Sequence, residues 1–149
     1  MQTSVSGVNF IRTNEGIFLE VENDAGHPVI GHGHDITPDE LASGLIYGTR
    51  FGDGITIEQA DAILGKDVAK VDTAMNRQGL TGIVNQNQWD CLADFCFNLG
   101  EGALIRMLSH GLEQVPMQIP RWTHGEGGVE LPGLVARRQA EVEWWNTPV

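Results

Sequence analysis

Asn14-Glu15-Gly16-Ile17-Phe18-Leu19-Glu20-Val21-Glu22-Asn23-Asp24 runs on into Ala25-Gly26-His27-Pro28-Val29-Ile30-Gly31-His32-Gly33-His34, and the texture of the chain changes inside that stretch. Ahead of it, the segment Val8 to Glu20 carries Phe10, Ile11, Ile17 and Leu19, a spacing that predicts a short opening helix. From Phe18 to Ile36, Gly, His, Asn and Asp interleave with Val21, Val29 and Ile30. Apolar residues alternating with turn formers predict a small β-hairpin rather than more helix.

Moving outward, the helix starts are legible. Thr37-Pro38-Asp39-Glu40 offers an N-cap Thr, a Pro at the first helical position and a Glu at the third, which is a capping box. Thr56-Ile57-Glu58-Gln59 repeats that logic and leads into Ala60, Ile63, Leu64, Ala69, Val71 and Met75, the stripe of one long helix. Asn85-Gln86-Asn87-Gln88 caps a third, whose inner face is expected to be Trp89, Leu92, Phe95, Cys96 and Leu99. Shorter helices fit Ala103 to Ser109 and Glu113 to Trp122, the second disturbed by Pro116 and Pro120. A last one is expected from about Leu134 to Trp145, after the Gly-rich stretch 125–133. The sum is a mainly α (α+β) chain read as one domain over residues 1–149, with no internal repeat or linker.

Composition agrees with a folded domain: 149 residues, 41% hydrophobic and 19% charged. No apolar run approaches the roughly 20 residues needed to cross a bilayer, and Met1 to Asn9 has neither a positive cluster nor an apolar core. The expectation is therefore synthesis in a bacterial cytoplasm without a signal peptide and without membrane insertion. A net charge of −11 leaves no basic stripe to release counterions from phosphates, which argues against nucleic acid. The same charge removes any long-range attraction to an anionic wall or membrane. Cys91 and Cys96 on one helix point about 140° apart, so they are read as buried free thiols.

Residues 14–34 concentrate Glu15, Glu20, Glu22, Asp24, His27, His32 and His34. Two chemistries use such a cluster. Glycoside hydrolysis needs one carboxylic acid held protonated beside a second group that directs water or stabilises positive charge on the sugar. Metal-assisted hydrolysis needs His and carboxylate ligands converging on one ion. His32-Gly33-His34 supplies a pair, but only His110 and His124 follow, at no matching offset. Two histidines hydrogen-bonded near a tight turn is the plainer reading.

The carboxylate pattern carries a resemblance. Glu15-Gly16-Ile17-Phe18-Leu19, then Asp24 nine residues on, then Ile30-Gly31-His32-Gly33-His34, resembles the phage-type lysozymes of glycoside hydrolase family 24. The likeness continues in order through Ile55-Thr56 to Gln59-Ala60, Leu64 and Asp67. It then runs through Asn85-Gln86 to Trp89, Phe97-Asn98-Leu99-Gly100 and Arg121-Trp122, and closes with Leu131 to Arg138 and Glu141. One departure stands out: between Asp24 and Gly31 this chain is one residue short, and Val29 occupies the place of a Thr that helps hold the attacking water.

What the resemblance implies is a lysozyme-like fold: an N-terminal β-hairpin lobe and a helical C-terminal lobe, joined by a long helix with a cleft between. It implies a muramidase that cleaves the β-1,4 bond between N-acetylmuramic acid and N-acetylglucosamine in peptidoglycan, with inversion and no cofactor or metal. Glu15 would be the acid, its pKa raised by a partly apolar surround such as Ile17, Phe18 and neighbours from the far lobe, and Asp24 the ionised carboxylate that orients water. Asp35, Phe97 and Asn98 would contact substrate, with His27, Asn23 or Glu22 compensating for Val29. Arg137 or Arg138 would pair with an N-terminal carboxylate, while Trp89, Trp122, Trp144 and Trp145 would pack in the core. The chain is expected to be a monomer that reaches the periplasm or cell wall by release or delivery. The rival readings are a catalytically idle peptidoglycan-binding module of the same fold, and a His-dependent metal hydrolase using His27, His32 and His34.

Overall fold

In the computed structural model, residues 1–24 and 26–149 are described, with the backbone alone at Glu126. Ala25, at the tip of the expected hairpin, lies outside the described residues. The first helix, α1 (Val5–Glu15), begins three residues earlier than the apolar spacing suggests, because Ser4 caps it by accepting from the Gly7 N–H. It also stops at Glu15 rather than Glu20. Gly16 takes φ 69°, open only to a residue without a Cβ, and turns the chain out of the helix.

Strands β1 (Phe18–Asp24), β2 (His27–Gly31) and β3 (His34–Asp35) form an antiparallel sheet in that order. Glu22 pairs with Val29 and Asp24 with His27, while a bulge interrupts the ladder between Phe18 and Glu22. The alternation in β1 does not sort it into an inner and an outer face: every residue of that strand is exposed. Burial is carried by β2, where Val29 and Ile30 are both inside.

The capping boxes form as expected. Thr37 starts α2 (Pro38–Ser43), Thr56 starts α3 (Ile57–Arg77) and Asn85 starts α4 (Gln86–Leu99), each reciprocated by the side chain three residues on. Between α2 and α3, the short pair β4 (Leu45–Ile46) and β5 (Thr49–Arg50) turns through Tyr47 and Gly48, both at positive φ. Helix α5 (Glu101–Leu108) follows α4 directly. The segment read as one disturbed helix is split into turns of 3₁₀ helix around α6 (Val115–Gln118), as its prolines require. Helix α7 (Pro132–Trp145) starts at Pro132, whose missing N–H costs nothing at the first helical position.

Helix α3, about 30 Å long at 1.5 Å per residue, threads three apolar clusters. Ala60 and Ile63 pack with Ile30, Ile36, Ile46, Phe51 and Ile55 on the sheet side. Leu64 and Val68 meet Ile11 of α1 in the middle. Met75 joins the largest cluster, around Trp89, Leu92, Phe95, Leu104 and Met107. The predicted stripe errs at Ala69, which is exposed, while Val68 and Asp72 face inward. Helix α4 is buried on every side from Trp89 to Cys96, and Leu99 at its end is only half-buried. Cys91 and Cys96 are free and buried. Two lobes joined by α3, one carrying the small sheet and the other helical, make the α+β architecture expected from the sequence.

Candidate active site

Helix α1 packs against α4 on the helical side, so its last residue is delivered to the junction with the sheet lobe. There Glu15 opens on a cavity of about 260 Å³, lined also by Phe18, Asp24, Val29, Gly33, Asp35, Phe97 and Asn98. All five residues singled out from the sequence, Glu15, Asp24, Asp35, Phe97 and Asn98, line this one space. A neighbouring cavity of about 360 Å³ shares Gly33, Asp35 and Phe97 with it and extends towards Glu40, Tyr47 and Lys70.

The side chain of Glu15 is 17% exposed, and burial pushes its carboxyl above the ordinary 4.5 against the lowering pull of Arg137. Of the expected apolar surround, Phe18 and, from the helical lobe, Phe97 line the cavity with Glu15, although Ile17 and Phe18 are 41% and 46% exposed. Close backbone adds to its enclosure. A Cβ on Gly33 would stand 2.9 Å from the Glu15 Cδ, so the bare glycine of the turn lies flat against the carboxyl. On the opposite side Arg137 Nη1 donates to Glu15 Oε1 at 2.7 Å. Of the two candidate arginines, Arg137 is thus the one that reaches the N-terminal carboxylate. Arg138 turns to Glu141 and to the Asn98 Oδ1, both at 2.8 Å. That bond orients the Asn98 amide and leaves its N–H₂ as the group it has to offer the cavity.

The histidines of the turn hold the lobe together. His32 Nδ1 lies 2.6 Å from the Gly16 carbonyl, so that nitrogen donates, and Nε2 lies 2.9 Å from Asp61 on α3. His34 sits between Asp67 Oδ2 at 2.7 Å and Glu40 Oε1 at 2.9 Å. His27 pairs with Asp24 across the hairpin. His32 and His34 are thus engaged by separate partners rather than turned towards one common point. Among the described residues no cluster of His, Cys, Asp and Glu is disposed to hold a metal ion. Trp89 and Trp145 are buried, Trp122 and Trp144 half-buried, and none of the four lines the cavity with Glu15.

The sequence reading did not single out Gly33 as a site residue, and it overlooked Asp94, which binds Arg137 from α4. A signal for Asp94 was present: a carboxylate between Ala93 and Phe95, in a helix apolar on several sides, has to be buried and so has to be paired.

The family model for phage lysozyme matches residues 12–141. The endolysin of Acyrthosiphon pisum secondary endosymbiont phage 1 is 31% identical over 151 residues, covering 95% of each chain. The endolysin of Bacillus phage PZA is 32% identical over 159 residues, covering 99% of this chain; the chain spans 56% of that relative's length. Among solved structures, the muramidase domain of SpmX from Asticaccaulis excentricus superposes with a TM-score of 0.78 at 29% identity, covering 99% of both chains. Fold and these likenesses agree: the chain belongs to the phage lysozyme family, a peptidoglycan-degrading family of glycoside hydrolases.

Proposed function

We propose that residues 1–149 work as one unit, a muramidase that hydrolyses the β-1,4 bond between N-acetylmuramic acid and N-acetylglucosamine with inversion. The observation that carries this reading is a half-buried Glu15 with a raised pKa, opening on a cavity that it shares with a second carboxylate, Asp24. Arg137 occupies Glu15 Oε1, so the transferable proton belongs on Oε2, the oxygen that lies against Gly33. Glu15 gives that proton to the leaving oxygen as the bond breaks. Asp24 stays ionised, stabilises the oxocarbenium-like transition state and orients the attacking water.

Val29, paired with Glu22 and lining the same cavity, offers no hydroxyl to that water. Asp35 and Asn98 are the other polar groups on the cavity wall. In this reading they contact substrate, and Phe97 presents an apolar face to a sugar ring. Proton transfer between two carboxyls and water asks for no cofactor. The protein acts as a monomer on the wall, after release or delivery from the cytoplasm in which it is made.

The test is reducing-end release from purified Gram-negative peptidoglycan by the parent and by Glu15→Gln, with both checked for folding. Cleavage by the parent and a fall of about a thousandfold or more in the variant support the acid assignment. Equal cleavage by both removes Glu15 from the role. Binding without cleavage by either makes the chain an idle wall-binding module, the reading that the missing hydroxyl at Val29 favours.

A further inference from the structure

Behind Glu15 lies an ion cluster that the acid–base chemistry itself does not use. Asp94 is fully buried, and both its oxygens accept from Arg137: Nε to Oδ2 at 2.9 Å and Nη2 to Oδ1 at 2.7 Å. The same guanidinium spends only one donor, Nη1, on Glu15. The groups that face Glu15 are Arg137 from α7, Asp94 from α4, Asp35 beyond the turn and Asp24 across the cavity. Arg12, on the same helix as Glu15, is turned away to Asp61 and Asn9. A lone guanidinium touching a buried carboxyl would stabilise its charged form and draw off the proton that an acid must keep.

We propose that Asp94 is a positioning residue for the acid: it neutralises Arg137 with a two-bond pair, so that Arg137 holds Glu15 in place without ionising it. This rests on reading Glu15 as the acid. Asp94 is itself faced by Arg137, Arg138 and Glu141 from α7, while Asp90, one turn earlier on α4, is engaged by Ser4 and Gln86. Glu141 accepts from Arg138 at Oε1, whereas its buried Oε2 accepts from no donor among the described residues. Burial first, then a hydrogen bond with Asp94, hold its carboxyl well above the ordinary range. A proton on Oε2 accounts for both facts, because the O–H then donates to Asp94. Three carboxyls, those of Glu15, Asp94 and Glu141, thereby share two guanidiniums and two protons, and Asp94 is the one left charged beside Arg137.

The experiment is the pH dependence of kcat/KM for reducing-end release, with unfolding curves, for the parent, Asp94→Asn, Arg137→Gln and the double variant. Asp94→Asn leaves Arg137 uncompensated, and the alkaline limb is expected to move down by about one pH unit or more. Arg137→Gln is expected to move it up, and the double variant to return it near the parent. Opposite shifts that cancel are not produced by loosened packing, which lowers activity at every pH. Should Asp94→Asn fail to fold, the upward shift in Arg137→Gln and its cancellation in the double variant carry the proposal. An unmoved limb in folded Asp94→Asn, or shifts of the same sign in both single variants, overturns it. Full activity in Glu15→Gln would instead overturn the acid assignment beneath it.

Discussion

Gly33 and Gly44 share nearly the same backbone, φ 75° and 74°, yet differ in what surrounds them. An added Cβ at Gly44 meets nothing within 4 Å, whereas at Gly33 it would run into the carboxyl of Glu15. Gly44→Ala is therefore expected to cost only the left-handed backbone, about 1 kcal/mol, and to leave turnover intact. Gly33→Ala is expected to cost about the same in backbone strain and to displace Glu15 as well, with a fall in turnover of about a hundredfold. Thermal unfolding and reducing-end release on the pair separate the two effects. Equal activity in both variants would mean that Glu15 does not need the bare turn.

The sheet lobe is tied to its helices through His34, which reaches from β3 to Glu40 on α2 and Asp67 on α3. Tyr47 adds a second bond to Asp67, at 2.6 Å, from the turn between β4 and β5. Burial works against the His34 charge, but the hydrogen bonds to Asp67 and Glu40 outweigh it and raise the imidazole above its ordinary 6.5. Glu40 is held below 4.5 despite burial, by the Thr37 N–H and by His34. A group raised in the folded state stabilises it fully below its unfolded value, and that contribution is lost as pH rises through the folded value. A lowered carboxylate behaves in the opposite sense and loses its contribution as pH falls through its folded value. The stability gap between the parent and His34→Gln is thus expected to be widest between 4.5 and 6.5 and to narrow above. Urea unfolding from about pH 5 to pH 9 measures it. A gap that widens towards alkaline pH would contradict the clamp.

At the scale of the molecule, net charge meets the wall. With −11 on 149 residues, long-range repulsion from an anionic wall opposes unaided approach. Lysis of cells by added protein is expected to improve as ionic strength rises from about 10 mM to 0.15 M, where the screening length falls to about 8 Å. Strong lysis at low salt that declines on adding salt would sink this expectation. Among the described residues no helix is long and apolar enough to cross a membrane.

The sequence by itself determined the helix starts, because caps are local. Thr37, Thr56 and Asn85 bond backbone three residues away, and no distant partner is needed to make those ends. It also determined which carboxylates to watch, through a motif whose spacing is a property of the chain. The tertiary structure alone decided which arginine reaches Glu15, that Asp94 stands behind it, and that bare backbone at Gly33 lies against its carboxyl. The first two depend on contacts across 122 and 43 residues of chain. Side chains meeting from different helices follow from packing angles and lobe placement, which periodicity along one element does not encode. For the same reason Ala69 was misread as inward: the face that α3 buries rotates as its partner changes from sheet to helices.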